Sequence, residues 1–276
     1  MSKMVYSEEV PKYECLEFHP KRQEYCVLIP IINEGNKIHK ELQRAKKKGI
    51  SRYVDIIICD GDSTDGCTDP EKLRQLEVNT LLIKKDTGKQ GAQLRMGISW
   101  ALKRGYSGVL TIDGNNKDSI EDIPQFIQKL QEGYDFVQGS RFIKGGYAGN
   151  TPLFRYVSVR LIHAPVISLT ARHWFTDTTN AFRAYSRRYL EDPRVQPLRN
   201  IFQTYELLAY LSVRATQIGM KACEVPVSRI YPKNGKIPTK ISFFKGNSDL
   251  MRILILNLFG RYRPANKSFD NFMSKY

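Results

Sequence analysis

The segment with the clearest chemical potential is 109–118, which reads VLTIDGNNKD. An apolar run ends there in one carboxylate, Asp113, followed by a glycine and the amides of Asn115 and Asn116. This pattern is typical of a buried strand that delivers an acid to the carboxyl edge of a sheet, where the ligands of α/β sheets bind. We therefore expect Asp113 to help hold a metal and a diphosphate.

Other apolar runs also end in polar residues: Pro30, Asn33 and Glu34 end the first, Asp60 and Asp62 the second, and Gly139-Ser140-Arg141 the fifth. Carboxylates and amides at adjacent strand ends can bind ribose hydroxyls and base edges and can coordinate Mg²⁺ or Mn²⁺. A turn or a helix N-cap is the ordinary role of a single such acid, as for Asp62 or Asp118. Three acidic strand ends in register favour a binding site over three unrelated turns.

The elements that must position these residues alternate between strand and helix. The apolar runs predict strands over 25–32, 54–59, 81–83, 109–112 and 136–138, and helical spacing predicts helices over 37–49, 90–104 and 120–131. Strand–helix alternation requires crossover connections and therefore a mainly parallel, doubly wound sheet. Because the strands are continuously apolar, helices should cover both faces. The predicted fold class is α/β.

The pattern changes after Gly146. Segment 153–169 is apolar with interspersed arginines, and further elements are predicted as a helix over 205–215, a strand over 225–230, a lysine-rich loop over 232–240 and an apolar stretch over 253–259. Basic amphipathic segments of this kind can lie on an anionic bilayer surface, and ordinary core helices are the alternative. The predicted organisation is an N-terminal extension (1–24), a main domain (25–240) and a basic amphipathic C-terminal helix and tail (241–276).

The net charge of +15 over 276 residues is the one unusual feature of the overall composition. Such a charge attracts nucleic acid, anionic lipid or phosphorylated substrates, although a solvated basic surface also explains it. No helix-turn-helix, zinc-finger, RNP-like or KH signature accompanies the charge, so no nucleic-acid partner is expected. The five cysteines form no CxxC pair, which favours a reducing compartment over zinc or disulfides.

No segment has the apolar run of a signal peptide or the roughly 20 apolar residues of a spanning helix. The predicted location is therefore the cytoplasm, with the inner face of the membrane as a candidate site of peripheral contact.

Several strings resemble family 2 glycosyltransferases of the GT-A fold, in the same order along the chain: IPIINEG, IIICDGDSTDGCT, GKQGAQLRMGISWAL, LTIDGN and GSRFIKGG. TDTTNAFRAYSRRYL and TYELLAYL are similar to the dolichyl-phosphate mannose synthase-like branch, which transfers sugars to polyprenyl phosphates. The resemblance covers about 25–240. It implies an inverting enzyme that uses a nucleotide-sugar donor, Mg²⁺ or Mn²⁺, and a polyprenyl-phosphate acceptor. The alternatives are transfer to a saccharide hydroxyl, and a nucleotide-sugar-binding or nucleic-acid-binding protein without enzymatic activity.

The resemblance also implies roles for individual residues. Asp113 would be the first acid of the DxD motif, and Asn115 stands at its last position, usually a metal ligand. One negative charge is therefore missing, which predicts weaker metal binding or partial replacement of the metal by protein cations. The residues implied to bind the donor are Pro30, Asn33 and Glu34 at the nucleoside, Asp60 and Asp62 at the base or ribose, and the cations Lys89 and Arg95. Lys233, Lys236 and Lys240 fall where the family has basic residues that reach the diphosphate or the acceptor phosphate, and a solvated loop is their ordinary alternative.

Three further residues are catalytic candidates by the same resemblance. Arg141 matches an arginine that acts on a phosphate, with a surface ion pair as the alternative. Asp177 and Glu206 would lie on the acceptor side, where a carboxylate must take a proton if the acceptor is a hydroxyl. Their ordinary alternatives are a helix N-cap for Asp177 and a first-turn helix acid for Glu206.

Overall fold

The computed structural model describes the backbone of residues 9–232 and 243–265, and the side chains of 9–232 and 248–265. The strands in these ranges are β1 (Tyr13–Glu17), β2 (Tyr25–Ile31), β3 (Asp55–Asp60), β4 (Val78–Lys84), β5 (Gly108–Thr111), β6 (Phe136–Ser140), β7 (Tyr147–Gly149), β8 (Arg183–Ser186), β9 (Ala222–Pro226) and β10 (Ser228–Ile230). The α-helices are α1 (Asn36–Lys47), α2 (Pro70–Gln75), α3 (Gln90–Lys103), α4 (Ile123–Gln131), α5 (Leu153–Ser158), α6 (Ala164–Ala171), α7 (Arg187–Glu191), α8 (Glu206–Gln217) and α9 (Phe243–Leu258).

Eight strands form one sheet in the order β1-β4-β3-β2-β5-β8-β6-β9. The strands β4, β3, β2 and β5 are parallel to one another, and β6 is parallel to β9. Two strands run the other way, β1 at the edge and β8 between β5 and β6. The predicted mainly parallel sheet is confirmed, and β7 and β10 form a second, two-stranded parallel sheet.

Helices cover both faces of the large sheet, which confirms the doubly wound arrangement. Alternate residues of β2 divide between two cores, with Val27 in the cluster that α1 and α4 cover and Leu28 in the cluster beneath α3 and α8. In α1 the core-facing positions are Ile38, Leu42 and Ala45, whose spacing of three and four residues places them on one helix face.

Three strands were not predicted, namely β1, β7 and β8. β1 lies within the N-terminal extension and pairs with β4, so this part of the extension belongs to the sheet. Its sequence, YECLE, is short and half-exposed, which leaves little apolar signal. In β8 a charged residue interrupts the apolar pattern. The Arg183 guanidinium is buried because it donates to the carbonyls of Asn180 and Thr178, both at 2.9 Å, and to Ser212 Oγ at 2.8 Å.

The segment that was predicted as 153–169 consists of α5, a π-helical stretch (Val159–His163) and α6. Helix α9 packs against α6 and α8, with Ile253 and Leu254 buried in the core and Asn257 Nδ2 donating to the Ala209 carbonyl at 2.9 Å. In the two described ranges, no helix has both the length and the apolarity needed to cross a bilayer.

Candidate active site

The loops after β2 and β3 are held together by side-chain hydrogen bonds to backbone. Asp60 is 1% exposed, and its carboxylate accepts from Asp62 N at 3.0 Å, Ser63 N at 2.8 Å and Ser63 Oγ at 2.5 Å. Asn33 donates its backbone N–H to Ser63 Oγ at 2.8 Å and accepts from Thr64 N at 2.8 Å through its side chain. Asp60 therefore shapes the loop from within.

The remaining predicted nucleoside residues lie at the same edge with different exposure. Asp62 adopts a left-handed conformation, φ 73°, that leaves its carboxylate exposed and paired with Lys85 Nζ at 2.8 Å. Glu34 is half-buried and pairs with Lys37 Nζ at 3.0 Å. Pro30 lies within β2, opposite Cys59 in the register. Among these residues, Asp62 and Glu34 are the acids that a ligand can reach.

Asp113 is the centre of the site because three side chains converge on its carboxylate. Gln90 Nε2, at the start of α3, donates to Oδ1 at 3.1 Å. Arg229 Nη2, from β10, donates to Oδ2 at 3.1 Å, and Asn115 Nδ2 lies 3.4 Å from the same oxygen. A carboxylate, an amide and a guanidinium thus meet at the carboxyl edge, as is suitable for binding a diphosphate and its counter-ion.

Arg229 was not predicted as a site residue. It is 7% exposed and also pairs with Asp118, with which it forms an isolated β-bridge. Burial opposes the charged form, but the Asp118 and Asp113 carboxylates raise the pKa of Arg229 above its usual value. Burial raises the pKa of Asp118 to about 6, although Arg229 opposes that shift. Asp118 is therefore the buried anchor of Arg229, and its predicted alternative role as a turn or cap residue is wrong.

The fit of this site to a divalent cation can be judged from Asn115. Its Oδ1 is buried and accepts no hydrogen bond from the described residues, while its amide nitrogen faces Asp113. Carboxylate and amide oxygens are ligands that Mg²⁺ and Mn²⁺ accept, so Asp113 and Asn115 fit two positions of such an ion. Within the described residues no group of three or more His, Cys, Asp or Glu side chains is placed to hold a metal. Oxygens of the substrate and of water are suitable further ligands.

The loop that carries Asn115 is supported from behind by a buried acid of α1. Glu41 is fully buried, and its Oε2 accepts the backbone N–H of Asn116 at 2.7 Å, where Asn116 has a φ of 58°. Burial raises the pKa of Glu41 well above its usual value. Glu41 is thus a buried acceptor that fixes the loop between Asn115 and Lys117, and its burial favours the neutral acid.

We expect Glu41→Gln to leave the free energy of unfolding at pH 7 within about 0.5 kcal/mol of wild type, because an amide oxygen can still accept the Asn116 N–H. Glu41→Leu should cost about 1–3 kcal/mol, since it leaves that N–H buried without a partner. Urea unfolding measures both values. If Glu41→Gln destabilises as much as Glu41→Leu, the carboxylate is ionised and its charge is what the loop requires.

Arg141 and Asp177, both predicted as catalytic, form a buried ion pair with each other. Arg141 Nε and Nη2 donate to the two Asp177 carboxylate oxygens at 2.6 and 2.9 Å, and Nη2 also donates to Thr179 Oγ1 at 3.0 Å. Burial acts to raise the pKa of Asp177, but the Arg141 guanidinium outweighs this effect and lowers it. Asp177 has no exposed surface, so the structure does not present it to an acceptor hydroxyl.

Glu206 lies at the start of α8, where its oxygens accept from Thr204 N at 2.6 Å and Thr204 Oγ1 at 2.7 Å. This is the first-turn role that was the alternative for Glu206. The preceding loop lies against the start of α3, since Lys89 N donates to the Gln203 carbonyl at 2.8 Å.

The predicted cations are distributed differently. Lys89 is exposed at the start of α3, next to Gln90. Arg95 is not brought to the strand ends: its buried guanidinium donates to the Phe202 carbonyl and to Asn200 Oδ1, both at 3.0 Å, and to the Glu9 carbonyl. It ties the N-terminal segment to the loop before α8. Lys233, Lys236 and Lys240 lie outside the described residues.

Comparison with known proteins agrees with this geometry. The profile of glycosyl transferase family 2 matches residues 26–192, which is more than half of the chain. A polyprenol monophosphomannose synthase of Mycolicibacterium smegmatis is 26% identical over 217 residues, covering 75% of this chain and 77% of that protein. An undecaprenyl-phosphate mannosyltransferase of Micrococcus luteus is 26% identical over 212 residues, covering 76% and 84%.

Among solved structures, a glucosyl-3-phosphoglycerate synthase of Mycobacterium tuberculosis with Mn²⁺, UDP-glucose and phosphoglyceric acid superposes with a TM-score of 0.60 at 14% identity. The match covers 86% of this chain and 79% of that one, and at such identity it shows a shared fold. The same synthase has been solved with Mg²⁺ and UDP, so divalent cations accompany the donor nucleotide in this neighbour. The present chain belongs to glycosyl transferase family 2, and its α/β sheet is the GT-A fold of a nucleotide-sugar-dependent glycosyltransferase.

Proposed function

We propose that this enzyme transfers a sugar, with inversion, from a nucleotide-sugar donor to the phosphate of a polyprenyl phosphate. The observation that carries the proposal is the meeting of Asp113, Asn115 and Arg229 at the carboxyl edge, which provides for a diphosphate and a cation. The names of two relatives, a polyprenol monophosphomannose synthase and an undecaprenyl-phosphate mannosyltransferase, support the choice of acceptor.

In this reaction an oxygen of the acceptor phosphate forms a bond to the anomeric carbon of the sugar. The bond from that carbon to the donor's β-phosphate oxygen breaks, and the nucleoside diphosphate leaves with the electron pair. An acceptor phosphate is already anionic, so the step needs alignment rather than a base. The engagement of Asp177 with Arg141 and of Glu206 with Thr204 supports a phosphate acceptor, because both carboxylates are already held by contacts within the protein.

Among the residues that the structure describes, Arg229 is the cation best placed to stabilise the negative charge that develops on the leaving diphosphate. Its guanidinium is held by Asp118 on one side and faces Asp113 on the other, so it needs little reorganisation during the reaction. We assign the nucleoside to the loops that carry Asn33, Glu34 and Asp62, with Pro30 and Asp60 beneath them. The exposure of Asp62 and the support that Asp60 gives its loop favour this assignment.

We further propose that Asp113 and Asn115 hold Mg²⁺ or Mn²⁺ when donor is bound, and such an ion acts as a Lewis acid on diphosphate oxygens. Asn115→Asp should strengthen Mn²⁺ binding about tenfold in the presence of nucleoside diphosphate, because it restores a carboxylate. Titration calorimetry measures this directly, without turnover. Unchanged Mn²⁺ affinity would remove Asn115 from the ligand set.

We also propose that the enzyme contacts an anionic membrane surface through α5, the π-helical stretch and α6. The segment 142–176 contains no Asp or Glu but carries Arg155, Arg160 and Arg172. Large apolar side chains of this region are exposed, among them Leu153, Phe154, Leu161, Leu169 and Trp174. An exposed apolar surface without acids is complementary to anionic headgroups over hydrocarbon. Such a surface would give the enzyme access to a lipid acceptor.

The proposal is tested with a panel of radiolabelled UDP-, GDP- and CDP-sugars and vesicles that contain undecaprenyl phosphate. We expect one donor to transfer its label to the lipid fraction. Absence of transfer, together with no thermal shift by UDP, GDP or CDP plus metal, would refute the enzyme assignment. Label that appears in a saccharide rather than in lipid would move the assignment to a hydroxyl acceptor.

A further inference from the structure

A basic cavity of about 630 Å³ lies beside the Asp113 site, between α1, the loop after β5 and the end of β10. The part of its lining that the structure describes carries four cationic side chains and no carboxylate; the cations are Lys37, Lys40, Arg44 and Lys117. Asn115 also lines the cavity, so the cavity opens next to the residue that faces Asp113. A concave, acid-free cluster of cations suits an anion with several oxygens.

Two of the four cations are already neutralised by neighbours. Arg44 donates to Glu121 Oε1 at 2.8 Å and to Asn116 Oδ1 at 2.9 Å, and Lys37 pairs with Glu34. Lys40 is exposed and has no ion pair with any described residue. Lys117 has its ammonium over the Tyr231 ring, 5.2 Å from the centroid, and no carboxylate partner among the described residues. Lys40 and Lys117 are therefore the cations available to a ligand.

Tyr231 connects the cavity to the apolar surface of α5. Arg155 Nη1 donates to the Tyr231 hydroxyl at 3.1 Å, and the guanidinium lies 5.7 Å from the ring centroid. The two residues before Arg155 are Leu153 and Phe154, which are 77% and 58% exposed. The contacts between Tyr231 and Arg155 thus join the basic cavity to an exposed apolar helix end. This combination suits a ligand with a phosphate head and an apolar chain.

We propose that this cavity holds the phosphate of the polyprenyl-phosphate acceptor, with Lys40 and Lys117 as its cations and the prenyl chain leaving over Leu153 and Phe154. The inference rests on the proposed function and specifies its acceptor site. The phosphate would then lie beside Asn115, which lines the cavity. Neither lysine is needed for the donor in this arrangement.

The test compares Lys40→Gln and Lys117→Gln with the control Lys47→Gln, an exposed lysine of the same helix that does not line the cavity. Equilibrium binding of undecaprenyl phosphate in nanodiscs of neutral lipid, and of UDP or GDP by calorimetry, is measured for each variant. We expect each cavity variant to weaken lipid-phosphate binding about tenfold, since each loses one charge-assisted contact. Nucleotide affinity should stay within twofold of wild type, and Lys47→Gln should change neither affinity.

Other outcomes overturn the inference. If the cavity variants weaken nucleotide binding and leave lipid-phosphate binding unchanged, the cavity belongs to the donor; if they change neither, it binds no substrate. Competition by inorganic phosphate and the double variant Leu153→Ser/Phe154→Ser test whether the prenyl chain contributes to binding. We expect inorganic phosphate to compete at least 100-fold less well than the lipid, and the double variant to weaken lipid binding alone. These experiments measure binding and not turnover. They can therefore refute the acceptor site independently of the transfer reaction, which the assay with radiolabelled nucleotide sugars tests.

Discussion

Asp113→Asn is expected to lower kcat for sugar transfer about 100- to 1,000-fold while leaving the protein folded. The Asp113 carboxylate is the negative charge on which Gln90, Asn115 and Arg229 converge. An asparagine of the same shape keeps one acceptor oxygen but cannot neutralise a cation or hold Arg229 by charge. The loss should therefore appear in the chemical step, where alignment of the diphosphate and its counter-ions matters most.

Folding should be largely preserved in Asp113→Asn because Arg229 keeps its buried partner Asp118. Single-turnover transfer measures the activity, and urea unfolding reports stability on the same preparations. The matched control is Asp249→Asn, the same change at an exposed position of α9, which should alter neither quantity. If Asp113→Asn retains more than about a tenth of the wild-type rate, Asp113 does not act at the reacting diphosphate.

The position of Asp113 could be predicted because the strands that lead to the site are buried on both faces and therefore read as continuous apolar runs. Parallel neighbours must bring their carboxyl ends to one edge, and the register does so: Ile31 lies opposite Asp60, and Leu28 opposite Thr111. Each run ends where the polar residues begin. The acids at the edge follow from local sequence and the geometry of a parallel sheet.

The partners of these acids could not be predicted, since contacts between distant segments determine them. Arg229 is 116 residues from Asp113, and it stands in a three-residue strand where an arginine is ordinarily solvated. Glu41 falls at a polar position of an amphipathic helix, and only the loop folded against it shows that it is buried. The sequence contains no local signal for either contact.

The contact between Arg141 and Asp177 could not be predicted from local sequence either, although both residues were singled out. Both residues were predicted as catalytic because their motifs resemble those of family 2 enzymes. Their side chains lie 36 residues apart in sequence but satisfy each other in the protein interior. A motif identifies residues that matter, but whether a charged residue meets the substrate or another residue depends on burial. Stability and activity measurements on the pair can separate the two roles.

Asp177→Asn is expected to lower the free energy of unfolding by about 3–5 kcal/mol, because it leaves the buried Arg141 guanidinium without its anion. The exposed fractions of the two side chains are 2% for Arg141 and 0% for Asp177, so water cannot replace the lost partner. The double variant Arg141→Met/Asp177→Leu should recover most of that loss, since it removes both charges together. Glu71→Gln breaks an exposed pair with Arg74 and should cost less than about 1 kcal/mol.

The pH dependence provides an independent check on the same pair. Arg141 holds the pKa of Asp177 below its usual value, so the folded carboxylate releases its proton more readily than the unfolded one. The resulting stability is fully present above the unfolded aspartate pKa of about 3.9 and is lost as the pH falls through the lower folded pKa. Urea unfolding of wild type should show this acid loss, and Asp177→Asn should lack it. If Asp177→Asn instead keeps wild-type stability and loses only kcat, Asp177 acts on the acceptor, and a hydroxyl acceptor that needs a base becomes the better assignment.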